Sequence, residues 1–414
     1  MNEAAPKDYA EALGLWLAEA PSPVVERLPP GEAAGRVLAE PVQALDALPP
    51  FDNAAMDGFA LRLEGEALPE GTRLRPEGAQ FAGDAEQVSS AEAIEITTGA
   101  VLPAGFDAVV PVERTTRLAD GRIELTQAVR RGQHIRRCGS DIAAGSLVLP
   151  PGRVVDAEVQ TIAAALGVAR FGVARAPRIA VIATGPELVD DPAQPLGSGQ
   201  IRNCNRPGLA ARIRGAGAEC VYQTTIGDDG DELEAAIAKA EAAGAQLVLS
   251  SGAVSMGRHD FVPDTLARLG ARILFHRLRM RPGKPILAAR LGSGLHYAGL
   301  PGNPVSTAVG FRFFVEPWIR RALGLPEERP LRLPLHAALP ARGGFRFHLK
   351  ARLCLDAGAR LGVEILPGQE SFRLAPMLEA NCWAIIPADS PDLEAGSPVE
   401  VLPLCHLPAF PLSA

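Results

Sequence analysis

The apolar positions of this chain change period several times, and each change predicts a different kind of structure. Between residues 8 and 20, Tyr9, Leu13, Trp16 and Leu17 fall on one helical face, and Pro21 stops the run. "GEAAGRVLAEPV" reads as a second short helix leading into a strand. From about residue 42 to 145, short β-like runs ("GFALRL", "AIEITTGAVLP", "DAVVPVERT", "GRIELT") are cut by Gly and Pro, which predicts a β-rich insert. "SLVLPPGRVVDAEVQTIAAALG" then returns to strand, loop and helix, as if the chain rejoined its first domain.

From residue 177 the two periods alternate. "RIAVIATG", "ECVYQTTIGDD", "QLVLSSGAV", "RILFHRL" and "GLHYAGLPGNP" read as strands. "NRPGLAARIRGAGA", "DELEAAIAKAEAAGA", "FVPDTLARLGA" and a long run to about Leu323 read as helices. Such alternation predicts a parallel-rich sheet with helices on both faces, binding ligands beyond the carboxyl ends of its strands. The Gly-rich turns "ATGPEL", "SSGAVSMG", "RPGKP" and "LPGNP" follow strands and are expected to gather at that edge. After Pro326 the text is β-like again, which predicts a small barrel-like domain. The fold class expected is therefore multidomain α/β plus β. Its parts are a discontinuous N-terminal α/β domain (1–41 and 146–176), an insert (42–145), a three-layer α/β domain (177–326) and a C-terminal β domain (327–414).

Composition narrows the function classes. The net charge of −7 argues against a general nucleic-acid binder, although a local basic pocket remains compatible with it. The six cysteines show no C-x-x-C spacing, so neither a zinc site nor a disulfide framework is expected, and a reducing cytoplasm fits. The N-terminal segment lacks a basic stretch followed by an apolar one, so no secretory signal is expected. Apolar runs break well before the ~20 residues of a membrane span.

Four stretches carry candidate chemistry. "SSGAVSMGRHDF" (250–261) places small residues and backbone N–H groups where a phosphate can sit, with Asp260 beside it; it equally reads as a plain loop with a capping Asp. "RMRPGKPI" (279–286) concentrates Arg279, Arg281 and Lys284 on a stiff turn, a receptor for a compact dianion or else a solvated basic loop. "LPGNPVSTA" brings Ser306 and Thr307 to a helix start, where they serve an anion or simply cap. "FDNAAMDGFA" (51–60), "RRCGSDI" (136–142) and "IGDDGDEL" (226–233) supply scattered acids compatible with Mg²⁺ beside a phosphate. The residues alone thus point to a pocket for a phosphorylated or oxyanionic ligand, without naming it.

Together these stretches resemble the molybdopterin molybdenumtransferase family. "FDNAAMDGFA" is similar to its F-D-N-S-A-M-D-G-[YF]-A pattern, and Thr98-Gly99-Ala100 through Pro103 to its T-G-A-x-x-P. Arg136 to Asp141 resembles R-x-x-G-x-D, and 250–260, 281–285 and 299–306 resemble S-S-G-G-V-S-x-G…D, K-P-G-K-P and G-L-P-G-N-P-V-S. The resemblance is collinear over nearly the whole chain. It implies a cytoplasmic homodimer performing the last step of molybdenum cofactor assembly. Molybdate and adenylylated molybdopterin are the substrates, Mg²⁺ assists, and AMP is released. It assigns Arg281, Lys284, Ser306 and Ser371 to molybdate, and Gly185, Glu187, Ser251, Gly252, Ser255, Gly257, Pro301, Gly302, Asn303 and Pro304 to the pterin nucleotide. Asp57, Thr98, Asp141, Asp228 and Asp260 fall at catalytic positions, with Glu187, Asp228 and Asp260 toward the metal. The family dimer shares its site between subunits. The upstream adenylyltransferase and the recipient molybdoenzymes are further expected partners; nucleic acid and membrane are not.

The chain departs from the family pattern at particular places. Pro186 replaces an acid, Asn203 and Cys204 replace an acid and a hydroxyl, Ala253 replaces a glycine, and Arg281 replaces a lysine. In "FHLKAR", either Arg346 or Lys350 takes the place of a customary Arg. These departures define the alternatives: a non-catalytic paralogue holding the pterin or a partner, or an altered preference toward tungstate.

Overall fold

The computed structural model describes residues 5–254, 261–356 and 358–405. It comprises two compact units. One contains Met1–Glu26, Gly35–Ala39 and Val173–Ala414; the other contains Arg27–Ala34 and Glu40–Gly172.

In the first unit, α1 (Tyr9–Ala18) precedes an alternating series. The series runs β1 (Arg178–Thr184), α2 (Asn205–Gly215), β2 (Glu219–Ile226), α3 (Gly230–Ala242), β3 (Leu247–Ser251) and α4 (Val262–Arg268). It continues through β4 (Arg272–His276), β5 (Met280–Arg281), β6 (Leu287–Arg290), β7 (His296–Leu300), α5 (Pro304–Gly310) and α6 (Glu316–Ala322), with a π-helical turn at Phe311–Val315 joining the last two helices. The sheet order is β2-β1-β3-β7-β6-β4. The first four strands are parallel, whereas β6 and β4 run antiparallel at one edge. No strand is expected from the sequence at 287–290. "LAAR" is short and alanine-rich, and it becomes a strand by pairing on both sides, with β4 and β7.

Alternation along the central strands feeds two cores. Ile179, Val181, Leu247 and Leu249 pack with Trp16, Leu209, Ile213 and Phe311. Ala180, Ile182 and Val248 pack on the other side with Leu233, Ile237, Val262 and Leu266. Strands buried on both faces read as continuous apolar runs, as a parallel sheet between helices requires. Helix α3 is pinned by Asp229, whose carboxylate accepts the Asp231 amide at 2.7 Å and the Glu232 amide at 3.3 Å.

The C-terminal strands are β8 (Leu331–Pro334), β9 (Arg346–Leu355), β10 (Leu361–Ile365), β11 (Cys382–Ile386) and β12 (Pro398–Pro403). They pair in the order β9-β11-β12-β8, and β10 pairs β9. Leu335, just past β8, bridges Val363 of β10, so the strands wrap around Leu349, Ala351, Leu353, Ala384 and Val401. Strand β5 extends this sheet, pairing in parallel with Arg346 and Phe347.

The second unit is mainly β. Its largest sheet orders Pro76–Gln80, Ala93–Ile96, Gly58–Leu61 and Ala108–Pro111, and a three-stranded sheet orders Thr115–Arg117, Ile123–Leu125 and Arg73–Leu74. A helix, Ala157–Ala165, is capped by Asp156 on the Val159 amide at 2.9 Å. The short helix expected in "GEAAGRVLAEPV" is only a 3₁₀ turn at Pro30–Glu32. Gly31 and Gly35 disfavour a longer helix there. Among the described residues no helix is long and apolar enough to cross a membrane.

Candidate anion site

The carboxyl edge of the parallel strands is where the conspicuous turns converge. Gly252, just past β3, donates its N–H to the carbonyl of Leu300 at the end of β7 (3.0 Å). Its φ is +105°, and an added Cβ would lie 2.4 Å from the Thr184 hydroxyl. Only glycine fits that backbone and that approach. Thr184 in turn donates to the Ser251 carbonyl at 3.2 Å. The Asn205 side chain donates to the Gly302 carbonyl at 2.7 Å, tying α2 to the "LPGNP" turn. At the adjoining turn, a Cβ on Gly185 would sit 2.5 Å from the Glu187 carboxylate, which therefore lies back over the glycine. Gly185, Glu187, Gly252, Pro301, Gly302 and Asn303 thus belong to turns at this edge, where Ser251 ends β3 and Pro304 opens α5. Ser255, Gly257 and Asp260 lie outside the described residues.

The basic turn closes one side. Leu278 donates to the carbonyl of Lys284 (2.8 Å) and Arg277 to that of Ile286 (3.0 Å), so the "RPGKP" backbone is fixed from within. It flanks a cavity of about 480 Å³ lined by Arg281, Lys284, Ser306 and Ser371, together with Arg342, His348, Gln369, Glu370 and Phe372. Arg281 and Lys284 are exposed, whereas Ser306 is 5 % exposed. The Arg281 guanidinium stacks 4.2 Å from the Phe345 ring. Ser371 approaches from the C-terminal sheet, and its carbonyl accepts the Val305 amide at the start of α5 (3.2 Å).

The charge around this cavity is mainly positive. Among the described residues lining it, Arg281, Lys284 and Arg342 face one carboxylate, Glu370, which pairs with Arg373 at 3.1 Å. His348 adds no charge: burial, helped by the nearby Arg346 guanidinium, pushes its pKa well down and keeps the ring neutral. Such a wall suits a compact dianion.

Arg346 and Lys350 are the alternatives for a C-terminal cation in this region, and neither lines the cavity. Arg346 lies with its guanidinium 4.6 Å from the Tyr9 ring. Lys350 is wholly buried and spends its ammonium on backbone carbonyls. Arg342 lines the cavity instead. Arg342 is not among the residues expected here, because it sits in a loop before β9 with no motif around it, whereas Gln369 and Phe372 flank Ser371, which is expected here.

In the second unit, the Asp57 carboxylate accepts the Thr98 amide at 2.6 Å. That amide, and then the Thr98 hydroxyl, hold the Asp57 pKa below its ordinary value. Asp141 is exposed, and its amide donates to Leu48. Asp52, another acid of the "FDNAAMDGFA" turn, accepts the Cys138 amide at 2.7 Å and pairs with Arg137 at 2.5 Å.

Asn203 explains its own departure from the family pattern. Its amide donates to Asp190 (2.9 Å) and Thr225 (3.0 Å), and its oxygen accepts the Arg206 N–H (3.1 Å). An aspartate there would set a second carboxylate against Asp190.

Among the described residues no group of three or more His, Cys, Asp or Glu gathers as a metal cage. Mg²⁺ needs none, since it commonly takes one or two carboxylates and completes its shell with water and phosphate oxygens. Glu187 and Asp228 follow the neighbouring parallel strands β1 and β2, and both carboxylates are exposed. That donor set fits the ion.

Comparison with known proteins matches three family models end to end. They are "MoeA N-terminal region (domain I and II)" at residues 7–167, "Probable molybdopterin binding domain" at 180–321, and "MoeA C-terminal region (domain IV)" at 332–404. The chain is 37% identical over 403 residues to the molybdopterin molybdenumtransferase of Synechococcus elongatus, covering 95% of this chain and 98% of the relative. It is 38% identical over 386 residues to molybdopterin molybdenumtransferase 2 of Mycobacterium tuberculosis, covering 90% and 94%. A crystal structure of the molybdopterin biosynthesis moeA protein from Pyrococcus horikoshii superposes with a TM-score of 0.81 at 29% identity, over 97% of this chain and 99% of that one.

Proposed function

Because the chain belongs to the molybdopterin molybdenumtransferase family of enzymes, which act in molybdenum cofactor biosynthesis, we propose that it inserts molybdate into adenylylated molybdopterin and releases AMP, assisted by Mg²⁺. The observation that carries this reading is the cavity lined by Arg281, Lys284, Ser306 and Ser371, beside the Gly-rich edge of a parallel sheet. Molybdate is a compact dianion. Two cations on a rigid turn neutralise it, and hydroxyls from two directions orient its oxygens. Arg342 adds a third positive charge, which also favours the anionic phosphates of the pterin nucleotide.

The glycines at 185, 252 and 302 allow a phosphate to approach the backbone, and Ser251 lies beside them at the end of β3. Pro301 and Pro304 stiffen the turn that presents Ser306. Glu187 and Asp228, with Asp260, would hold Mg²⁺, which when bound supplies Lewis-acid charge at phosphate oxygens. Asp57, Thr98 and Asp141 complete the catalytic set, and Thr98 keeps the Asp57 carboxylate ionised. The enzyme works in the cytoplasm as a homodimer that shares its site between subunits. Its chain divides into the four domains read from the sequence.

The test mixes the purified full chain with adenylylated molybdopterin and Mg²⁺, with and without molybdate. AMP release that depends on molybdate is expected. Pterin binding without any AMP would overturn the reading, and ATP consumption would point to adenylylation of the pterin instead.

A further inference from the structure

We propose that Lys350, together with Gln369, is a positioning residue: its buried ammonium braces the loop 366–373 so that Ser371 is held at the wall of the anion cavity. This proposal rests on the reading of that cavity as the molybdate site.

Lys350 lies within β9 and is 0% exposed. Its Nζ donates to the carbonyls of Gly368 (2.6 Å), Glu370 (3.3 Å) and Arg373 (3.1 Å). An ammonium has three N–H donors, and three carbonyls take them. No donor remains for an anion, so Lys350 is not a ligand despite standing in a motif where a cation is expected to reach one. The carbonyls come from both ends of a tight loop and point at one spot. Oxygens converging in this way repel unless a cation sits between them, and burial removes the water that would otherwise satisfy them.

Gln369 supplies the other half of the brace. Its Oε1 accepts the Lys350 amide at 2.9 Å, and its Nε2 donates to the carbonyls of Lys350 (2.8 Å) and Leu366 (2.7 Å). The loop is thus tied to β9 by one side chain in each direction. Its far end is fixed by the Ser371 carbonyl on the Val305 amide, immediately before Ser306. The two hydroxyls assigned to the anion are therefore held at one place through backbone that depends on Lys350.

The test uses the full chain with two separate substitutions, Lys350→Met and Gln369→Leu. Each removes a different half of the brace, so if Lys350→Met does not fold, Gln369→Leu carries the test. Amide hydrogen exchange over 368–373 is expected to rise about tenfold in either variant, with the α/β sheet unchanged. In Lys350→Met, whose side chain does not line the cavity, the molybdate concentration giving half-maximal AMP release is expected to rise about tenfold, with kcat at saturating molybdate changing less than about twofold. Unchanged exchange overturns the proposal, and so does a loosened loop with unchanged half-saturation, because a purely structural lysine would give that result. If the wild-type chain releases no AMP, the functional reading fails by itself, and exchange over the loop still judges the brace.

Discussion

Removing the Lys284 ammonium tests the anion site most directly. The turn that carries it is held by backbone bonds: the Lys284 carbonyl accepts Leu278 and the Ile286 carbonyl accepts Arg277. Lys284→Ala therefore deletes a charge without dismantling the turn. A unit charge about 4 Å from another is worth about 1 kcal/mol in bulk water and about 4 kcal/mol at the effective dielectric near a protein surface. Lys284 is exposed and Arg281 and Arg342 remain, so the lower part of that range applies. A loss of about 1–2 kcal/mol corresponds to roughly a 5- to 30-fold rise in half-saturating molybdate. The assay is AMP release against molybdate at a fixed, saturating level of adenylylated molybdopterin, repeated against pterin at saturating molybdate. The pterin dependence is expected to change less than about threefold. Raising ionic strength should narrow the gap between wild type and variant, because salt screens an exposed charge. An unchanged molybdate dependence would refute the reasoning. So would an equal rise in both half-saturations, since that would place Lys284 on the nucleotide.

Two further predictions concern stability. Burial pushes Glu316 up to about 7 from its ordinary 4.5, because Arg312 gives both contacts of one guanidinium nitrogen to Glu328 at 2.8 Å and leaves Glu316 at 3.7 Å. The folded state then binds the proton more tightly than the unfolded state, so the contribution is fully present below about pH 4.5 and is lost as pH rises through 7, a change of about 3 kcal/mol. Glu316→Gln should flatten this slope in urea unfolding measured from pH 5 to 8, and identical slopes would exclude the assignment. Ala253 holds φ at +51°, in the left-handed region that costs a non-glycine residue. Ala253→Gly should stabilise the first unit by about 0.5–1 kcal/mol after the added chain entropy of glycine is counted, and a lower unfolding midpoint would contradict this.

The legible parts of the fold were those set by local chemistry. The faces of α1 and α3, the buried strands β1, β3 and β7 and the Gly- and Pro-rich turns all follow from spacing within a dozen residues. That the turns gather at one edge also followed, because strands alternating with helices must run parallel. The edge pair β4 and β6 was not legible as antiparallel, since a short alanine-rich run acquires its direction only from its neighbours.

The sequence by itself determined which turns are stiff, which strands are buried and where the positive charge of the "RPGKP" loop lies. Tertiary structure alone decided which cations face the cavity. Lys350 and Arg346 sit in the motif, yet the register of β9 against β5 and β11 turns them toward loop carbonyls and the Tyr9 ring, and Arg342 from an unremarkable loop takes the open place. A side chain's chemical type is written locally. The partner it meets depends on strand register and on chain segments far away in sequence, and burial then selects the contacts that leave no charge or carbonyl unsatisfied.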